Sequence, residues 1–119
     1  MKVENTSQSL VKANPTAQAS DTPSIPDLIK ALSDEDKDVR AEAAVALAII
    51  GPEAKDAVPE LRIALSDPEI DVRAEAAFAL GEIGPAAQTA IETLRKLADE
   101  DLDRDTRRVA TEALAKIEV

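Results

Sequence analysis

The sequence repeats itself with a period of 33 residues. Residues 26–58 read PDLIKALSDEDKDVRAEAAVALAIIGPEAKDAV, and residues 59–91 read PELRIALSDPEIDVRAEAAFALGEIGPAAQTAI; the two segments agree at 20 of 33 positions without a gap. A looser third copy follows over residues 92–119. Tandem repeats of this length form solenoids, in which each unit buries its apolar face against its neighbours. The repeat therefore predicts the fold and favours binding as the mode of action.

Each repeat is predicted to form a helical hairpin, because apolar residues recur at helical spacing on both sides of an acidic turn. The predicted helices are 26–33 and 36–50, then 54–65 and the helix that follows Asp67, then 86–98 and 103–117. Asp67-Pro68 predicts an N-cap followed by proline at the first helical position. Gly51-Pro52 and Gly84-Pro85 are expected to end the second helices, with each glycine in a left-handed cap.

The second helices carry an apolar stripe that we expect to be buried between repeats. Its members are Val39, Ala43, Ala46, Leu47 and Ile50 in repeat one, and Val72, Ala76, Ala79, Leu80 and Ile83 in repeat two. The fold class predicted is all-α: a right-handed α-solenoid of three helical hairpins. The domain is expected to span residues 25–119, with repeats at 26–58, 59–91 and 92–119.

Residues 1–24 are predicted to be a flexible N-terminal tail. They are rich in Ser, Thr, Asn, Gln, Ala and Pro, and such a segment buries too little apolar surface to offset its ordering entropy. The alternative is that Leu10 and Val11, the bulky apolar residues of this segment, dock on the open edge of the first repeat.

The negative charge of the chain indicates which classes of partner it can bind. The net charge is −10 and all of it belongs to the repeats, since two lysines cancel two acidic residues in the tail. An acidic surface repels phosphate, so we expect neither nucleic acid nor a membrane as partner, and a basic protein is favoured instead. The absence of cysteine and histidine disfavours zinc, haem and histidine-based catalysis, so no cofactor is expected. No secretory signal is recognised, and a cytoplasmic location is the expectation.

The spacing of the key residues resembles that of HEAT repeats, especially the short kind found in phycobilisome lyases. Repeat one has Leu28-x3-Leu32-x-Asp34-x4-Val39-Arg40-x2-Ala43-x3-Leu47-x2-Ile50-Gly51. Repeat two matches at Leu61, Leu65, Asp67, Val72, Arg73, Ala76, Leu80, Ile83 and Gly84, and repeat three at Leu94, Leu97, Arg107, Ala110, Leu114 and Ile117.

The resemblance implies a ladder of aspartate and arginine side chains between neighbouring repeats. In this sequence the ladder positions are Asp34 with Arg40, Asp67 with Arg73, and Asp101 with Arg107. The third turn is two residues longer, so Asp99 is an alternative to Asp101. A role for the arginines as an anion site is the weaker interpretation.

Helical repeats of this kind are expected to line the concave face with their second helices. The stripe next to the buried one is predicted to bind a partner through Glu42, Val45, Ile49, Glu75, Phe78, Glu82, Val109 and Glu112, together with Asp38, Asp71, Asp105 and Lys116. Apolar residues with an acidic rim suit a basic or amphipathic peptide. The alternative is that Phe78 and Ile49 pack between helices as core residues.

Three functions remain open from the sequence. The first is a non-catalytic scaffold that binds a protein or peptide on the concave stripe. The second is an accessory subunit of a phycobilisome-lyase-like complex. The third is a module that self-associates through exposed repeat ends, because terminal repeats need polar caps. We expect no enzyme, since no phosphate loop, nucleophile–base pair or calcium loop is recognised.

Overall fold

The computed structural model describes residues 23–118, which form six α-helices in three consecutive hairpins. The first helices of the repeats are α1 (Ile25–Ala31), α3 (Val58–Ala64) and α5 (Ile91–Glu100), and the second helices are α2 (Lys37–Ile50), α4 (Ile70–Ile83) and α6 (Arg104–Ile117). The all-helical repeat fold predicted from the 33-residue period is confirmed. The flexible tail and the docking of Leu10 and Val11 were predicted for residues outside the described part of the chain, apart from Pro23 and Ser24.

The hairpins stack so that the second helices form one continuous layer. Helix α4 packs against α2 on one side and against α6 on the other, and each first helix packs on the second helix of its own repeat. The middle repeat is therefore the only one of the three with a neighbour on both sides within residues 23–118. None of the helices in this range is long and apolar enough to cross a membrane.

Short polar side chains set the starts of three helices. The Ser24 hydroxyl accepts a hydrogen bond from the Asp27 N–H at the start of α1. Asp36 caps α2 and Asp103 caps α6 by accepting from backbone N–H groups in the first turn. Each cap satisfies a donor that the helix leaves unpaired, which contributes about 1 kcal/mol.

The segments between repeats differ from the prediction of single long helices over 54–65 and 86–98. Gly51–Ala57 and Gly84–Ala90 form 3-10 turns, and α-helix starts only at Val58 and Ile91. The break comes at Ala54 and Ala87, whose ψ values of 19° and 21° are not helical. Both alanines are fully buried, so the turn packs into the core and cannot straighten into one helix without losing those contacts.

The expected Asp67 N-cap with Pro68 at the first helical position is wrong. Helix α4 begins at Ile70, with Glu69 as its N-cap. Asp67 instead accepts a hydrogen bond from the Glu69 N–H at 2.9 Å, and its carboxylate pairs with Arg40 of the preceding repeat. The Asp67 carboxylate thus closes the turn before α4 and joins the neighbouring repeat, and it does not cap the helix.

Two glycines end the second helices in a backbone conformation that other residues avoid. Gly51 has φ 76° and ψ −140°, and Gly84 has φ 83° and ψ −146°. The positive φ is as predicted, but ψ lies far from the left-handed helical region. These angles are close to the mirror image of extended backbone, which only glycine adopts readily. The chain therefore turns sharply into the next repeat at both positions.

Replacing Gly84 by alanine is expected to lower the free energy of unfolding by about 1–3 kcal/mol through backbone strain. A Cβ at this position would meet no atom within 4 Å, so the loss cannot come from a steric clash. Thermal and urea denaturation of the variant would measure it. Gly51→Ala should behave alike, since its new Cβ would only touch the Glu82 carbonyl oxygen at 3.7 Å. Unchanged stability in both variants would contradict the strain interpretation.

The core is built largely from alanine. Of the 24 buried hydrophobic residues, 13 are alanine, and none is aromatic. Small side chains let the helices approach closely: a Cβ added at Gly81 of α4 would lie 3.0 Å from the Ala113 Cα of α6. The predicted buried stripe is fully buried in repeat two. In repeat one, Val39, Ala46 and Ile50 are only half-buried, because no repeat precedes them in the described chain.

Candidate functional site

One face of the second-helix layer carries the side chains predicted to contact a partner. We call it the second-helix stripe and define it by four equivalent positions in each repeat: Asp38, Glu42, Val45 and Ile49; Asp71, Glu75, Phe78 and Glu82; Asp105, Val109, Glu112 and Lys116. Each of these side chains is exposed or partly exposed, and none belongs to the fully buried core. The stripe is continuous across the repeats because α2, α4 and α6 pack side by side.

The apolar members of the stripe lie mainly in the first two repeats. Ile49 is 80% exposed, Phe78 43% and Val45 37%. These values exclude the alternative that Ile49 and Phe78 are core residues between helices. Val45 and Phe78 occupy the same position in α2 and α4, which pack against each other, so the three side chains lie on the same face of neighbouring helices. Exposed large apolar groups on neighbouring helices make this face the candidate interaction surface.

A lysine from repeat three lies against the aromatic residue of the stripe. The Lys116 ammonium is 5.3 Å from the centre of the Phe78 ring and forms an ion pair with the Glu82 carboxylate. A cation over an aromatic face, held by a carboxylate beside it, is a favourable arrangement. Phe78 and Glu82 therefore form a pair that can hold an ammonium group, and in this structure the group comes from the chain itself.

Glu75 is the stripe residue with the least favourable electrostatic environment. Partial burial and the nearby negative charge of Asp71 raise the pKa of Glu75 above its ordinary value. A raised pKa means that ionisation of Glu75 opposes folding: the penalty is absent below the unfolded pKa and is complete above the folded one. At neutral pH the free protein therefore carries an unfavourable charge at the centre of the stripe.

The variant Glu75→Gln is expected to be more stable than wild type at neutral pH. The gain should be below about 1 kcal/mol, as is usual for a partly exposed position. It should disappear near pH 3, where the wild-type carboxyl is itself neutral. Thermal denaturation at both pH values tests this, with Glu42→Gln at the equivalent, exposed position of α2 as the control. A gain of the same size at low pH would show that charge is not the cause.

The arginines of the predicted ladder join neighbouring repeats. Arg40 donates through Nε and Nη2 to the Asp67 carboxylate, at 2.8 and 3.1 Å, and Arg73 donates to Asp101 at 2.7 and 3.2 Å. In each pair both side chains are largely buried. The bidentate geometry fixes the register of one repeat on the next.

The same arginines also close the turn of their own repeat. The Nη1 atoms of Arg40, Arg73 and Arg107 donate to the backbone carbonyls of Asp34, Asp67 and Asp101, at 2.8, 2.9 and 2.7 Å. The longer third turn thus places Asp101, not Asp99, in the ladder. Arg107 makes only the bond within its repeat, because no further repeat follows in the described chain.

Hydrogen bonds control the ionisation of the ladder groups. Burial acts to raise the pKa of Asp101, but the hydrogen bonds from Arg73 and from the Asp103 N–H outweigh it and hold the pKa below its ordinary value. The hydrogen bond to Asp67 raises the pKa of Arg40. These shifts have a structural cause, the contact between repeats, so they do not indicate catalysis.

Sequence reasoning missed part of the surface. Ile63, Ile70 and Leu102 are exposed by 69%, 48% and 97% and lie outside the stripe. The other repeats have no large apolar residue at these positions, so no periodic signal marked them. Within residues 23–118, no group of three or more acidic side chains is close enough to hold a metal ion.

Comparison with known proteins supports the repeat fold. The family described as HEAT repeats matches residues 15–62 and 25–115 of the chain. No curated protein sequence matches it. Among solved structures it is similar to the crystal structure of an engineered protein from the Northeast Structural Genomics Consortium, with a TM-score of 0.68 and 34% sequence identity. The alignment covers 79% of this chain, and the chain spans 45% of the length of that protein.

Proposed function

The chain belongs to the HEAT-repeat family, and from that premise we propose that it is a non-catalytic scaffold that binds a basic amphipathic helix on the second-helix stripe. Repeats of this family generally mediate protein interactions. The single observation that carries the proposal is the exposed apolar area of Val45, Ile49 and Phe78 on two neighbouring helices.

The chemistry of the stripe defines the partner. Its acidic residues outnumber its one lysine, so the partner's flanking residues should be basic. The contact of Lys116 with Phe78 and Glu82 supports this, because an ammonium group is held favourably between that ring and that carboxylate. The apolar area suits one hydrophobic face of a helix, as in helix-in-groove recognition.

The dimensions of the stripe set the length of the partner. Three parallel helices spaced by about 8–10 Å span about 20 Å between the outer axes. A helix of about 14 residues has that length at 1.5 Å per residue. A single amphipathic helix of four turns can therefore cover all three repeats.

The test uses a 14-residue helical peptide with leucine on one face and lysine beside it, measured by fluorescence anisotropy. Phe78→Ala and Val45→Glu are expected to weaken binding at least about tenfold, as removal of a central interface residue does. Lys116→Ala should strengthen binding, because it frees the Phe78 ring and the Glu82 carboxylate for the peptide lysine.

Two controls separate the stripe from general attraction to an acidic protein. Leu102→Ala removes an exposed apolar residue off the stripe and should leave binding unchanged. A peptide of the same composition in scrambled order, which forms no apolar face, should bind weakly to every variant. If Phe78→Ala and Val45→Glu bind the ordered peptide as wild type does while their circular dichroism is normal, the stripe is not the site.

A further inference from the structure

The N-terminal end of the solenoid carries a groove that resembles an interior surface. The groove has a volume of about 330 Å³. It is lined by the apolar residues Pro23, Leu28, Ala31, Val39, Ala43 and Ala46, together with Glu42 of the second-helix stripe. The α2 positions Val39 and Ala46 are only half-buried here. Their equivalents Val72 and Ala79 are fully buried, because the preceding repeat covers them. The first repeat thus presents an apolar surface of the kind that receives another repeat.

The same end also carries one half of a ladder contact. The Asp34 Oδ1 atom accepts from the Asp36 N–H at 2.8 Å, as Asp67 and Asp101 accept from the N–H two residues ahead. Those two aspartates additionally hold the arginine of the preceding repeat. Among residues 23–118, no cation lies within ion-pair distance of the Asp34 carboxylate. Asp34 therefore makes the same turn contact as the two ladder aspartates, but no arginine among residues 23–118 pairs with its carboxylate.

The C-terminal end carries the other half. Arg107 is bonded through Nη1 to the Asp101 carbonyl, the position that Arg40 and Arg73 take in their own repeats. Within the described chain, no carboxylate lies within hydrogen-bond distance of its other nitrogens. The Arg107 guanidinium is therefore oriented as the donor of a ladder contact that lacks its carboxylate.

The C-terminal end also has small residues where a repeat packs on the next one. Four and eight positions after the ladder arginine, repeat one has Ala44 and Ala48, and repeat two has Ala77 and Gly81, all buried. Helix α6 keeps this spacing with Thr111 and Ala115, both exposed. The Thr111 hydroxyl already donates to the Arg107 carbonyl at 2.9 Å, so it brings no unpaired polar group to a contact.

We propose that the two ends are complementary halves of one repeat junction, and that a second copy of this chain stacks on the first head-to-tail. Helix α6 of one copy would lie against α2 of the next, with Arg107 of the first on Asp34 of the second. The arrangement reproduces the contact that α2 makes with α4. Arg108 is the one large residue on this face, where the first two repeats have Ala41 and Ala74. Both alanines stay half-exposed beside the next repeat, so the Arg108 side chain can extend into solvent at the edge of the contact.

Charge favours this pairing over a contact between two N-terminal ends. The first repeat has Asp27 and the acidic turn 34–36, and Glu42 lines the groove, whereas the first turns of α6 have Arg104, Arg107 and Arg108 with the single acidic residue Asp105. Two N-terminal ends would bring like charges together. A head-to-tail contact is heterologous and leaves both outer ends open, so it extends into a linear series of copies. The contact would use one repeat face of each copy, and we expect the association to be weak, as it is for small interfaces.

The test is sedimentation velocity on the full chain from micromolar to about millimolar concentration, where weak contacts of this size are populated. Wild type should show a weight-average mass that rises with concentration. Ala46→Glu blocks the groove and Ala115→Glu blocks the opposite end, and each variant alone should stay monomeric. An equimolar mixture of the two should form a dimer and nothing larger, because one open end of each kind remains. Ala115 is exposed and Ala46 is half-buried at the groove surface, so circular dichroism and thermal denaturation of both variants check that each remains folded.

Other results would overturn the proposal. A wild-type chain that remains monomeric at the highest concentration would show that no second copy occupies the groove. Association that persists in Ala115→Glu would show that the N-terminal ends pair with each other. Asp34→Asn, which keeps the acceptor for the Asp36 N–H but removes the charge, should weaken association; equal association would exclude the ladder contact. Ala46, Ala115 and Asp34 are not members of the second-helix stripe, but Glu42 of the stripe also lines the groove. Peptide binding is therefore measured on the same variants, and a loss of association with unchanged peptide binding assigns the effect to the repeat ends.

Discussion

Replacing Leu80 by alanine is expected to lower the free energy of unfolding by about 2–5 kcal/mol, the range for deleting a buried leucine side chain. Leu80 is fully buried in α4, the helix that packs against both α2 and α6. The cavity would therefore lie where two junctions meet, and the surrounding alanines have little side chain with which to fill it. A three-repeat domain has only about 5–15 kcal/mol of stability, so much of it would be lost.

The matched control is Leu114→Ala. Leu114 occupies the same repeat position in α6 but is only half-buried, because no repeat follows it in the described chain. Its loss should be less than half of that at position 80. Urea denaturation of both variants gives the two values. Equal losses would mean that burial between repeats does not determine the stability of this fold.

Replacing Arg73 by alanine is expected to lower the free energy of unfolding by about 3 kcal/mol. The change removes the bidentate contact and leaves the Asp101 carboxylate, only 5% exposed, without its cation. Removing one partner of a buried ion pair is unfavourable because the other charge stays buried without a partner. Arg107→Ala removes an arginine that has only its bond to the Asp101 carbonyl, so it should lose about 1 kcal/mol.

The effect of Arg73→Ala should depend on pH. The folded-state pKa of Asp101 lies below its ordinary value, so its contribution to stability is present above about pH 4 and is lost as the pH falls through the folded pKa. Without Arg73 the pKa of Asp101 should rise. The difference between wild type and variant should therefore be largest near neutral pH and should shrink on acidification. A difference that stays constant between pH 7 and pH 3 would contradict an electrostatic origin.

The repeat made the fold predictable, because each local signal was seen twice in the same relative place. The buried apolar stripe, with Leu47 and Leu80, predicted which face of each second helix packs between repeats. The glycines predicted where the second helices end. The positions of the second-helix stripe followed from the same periodicity. Periodicity gives the face of a helix on which a residue lies, and here the exposures of Ile49 and Phe78 exclude the core interpretation of that face.

Details that depend on contacts between repeats were not predictable. Asp67 has the sequence context of an N-cap, but its carboxylate binds Arg40 across the junction, and no local pattern contains that partner. The 3-10 turns form because buried Ala54 and Ala87 fit between helices of two repeats, which propensity alone does not show. Lys116 of repeat three contacts Phe78 of repeat two. The equivalent residues in repeats one and two are Ile49 and Glu82, neither of which is positively charged, so periodicity did not predict this contact.

The alanine-rich core has a consequence for how stability changes with temperature. Thirteen of the 24 buried hydrophobic residues expose only one methyl group each on unfolding. The heat-capacity change of unfolding arises mainly from hydration of newly exposed apolar surface, so it should be smaller per residue than in a core of leucine and phenylalanine. A small heat-capacity change flattens the curve of free energy against temperature. The domain should therefore hold a modest stability nearly constant over a broad range of temperature, and its cold-denaturation temperature should lie unusually far below its melting temperature.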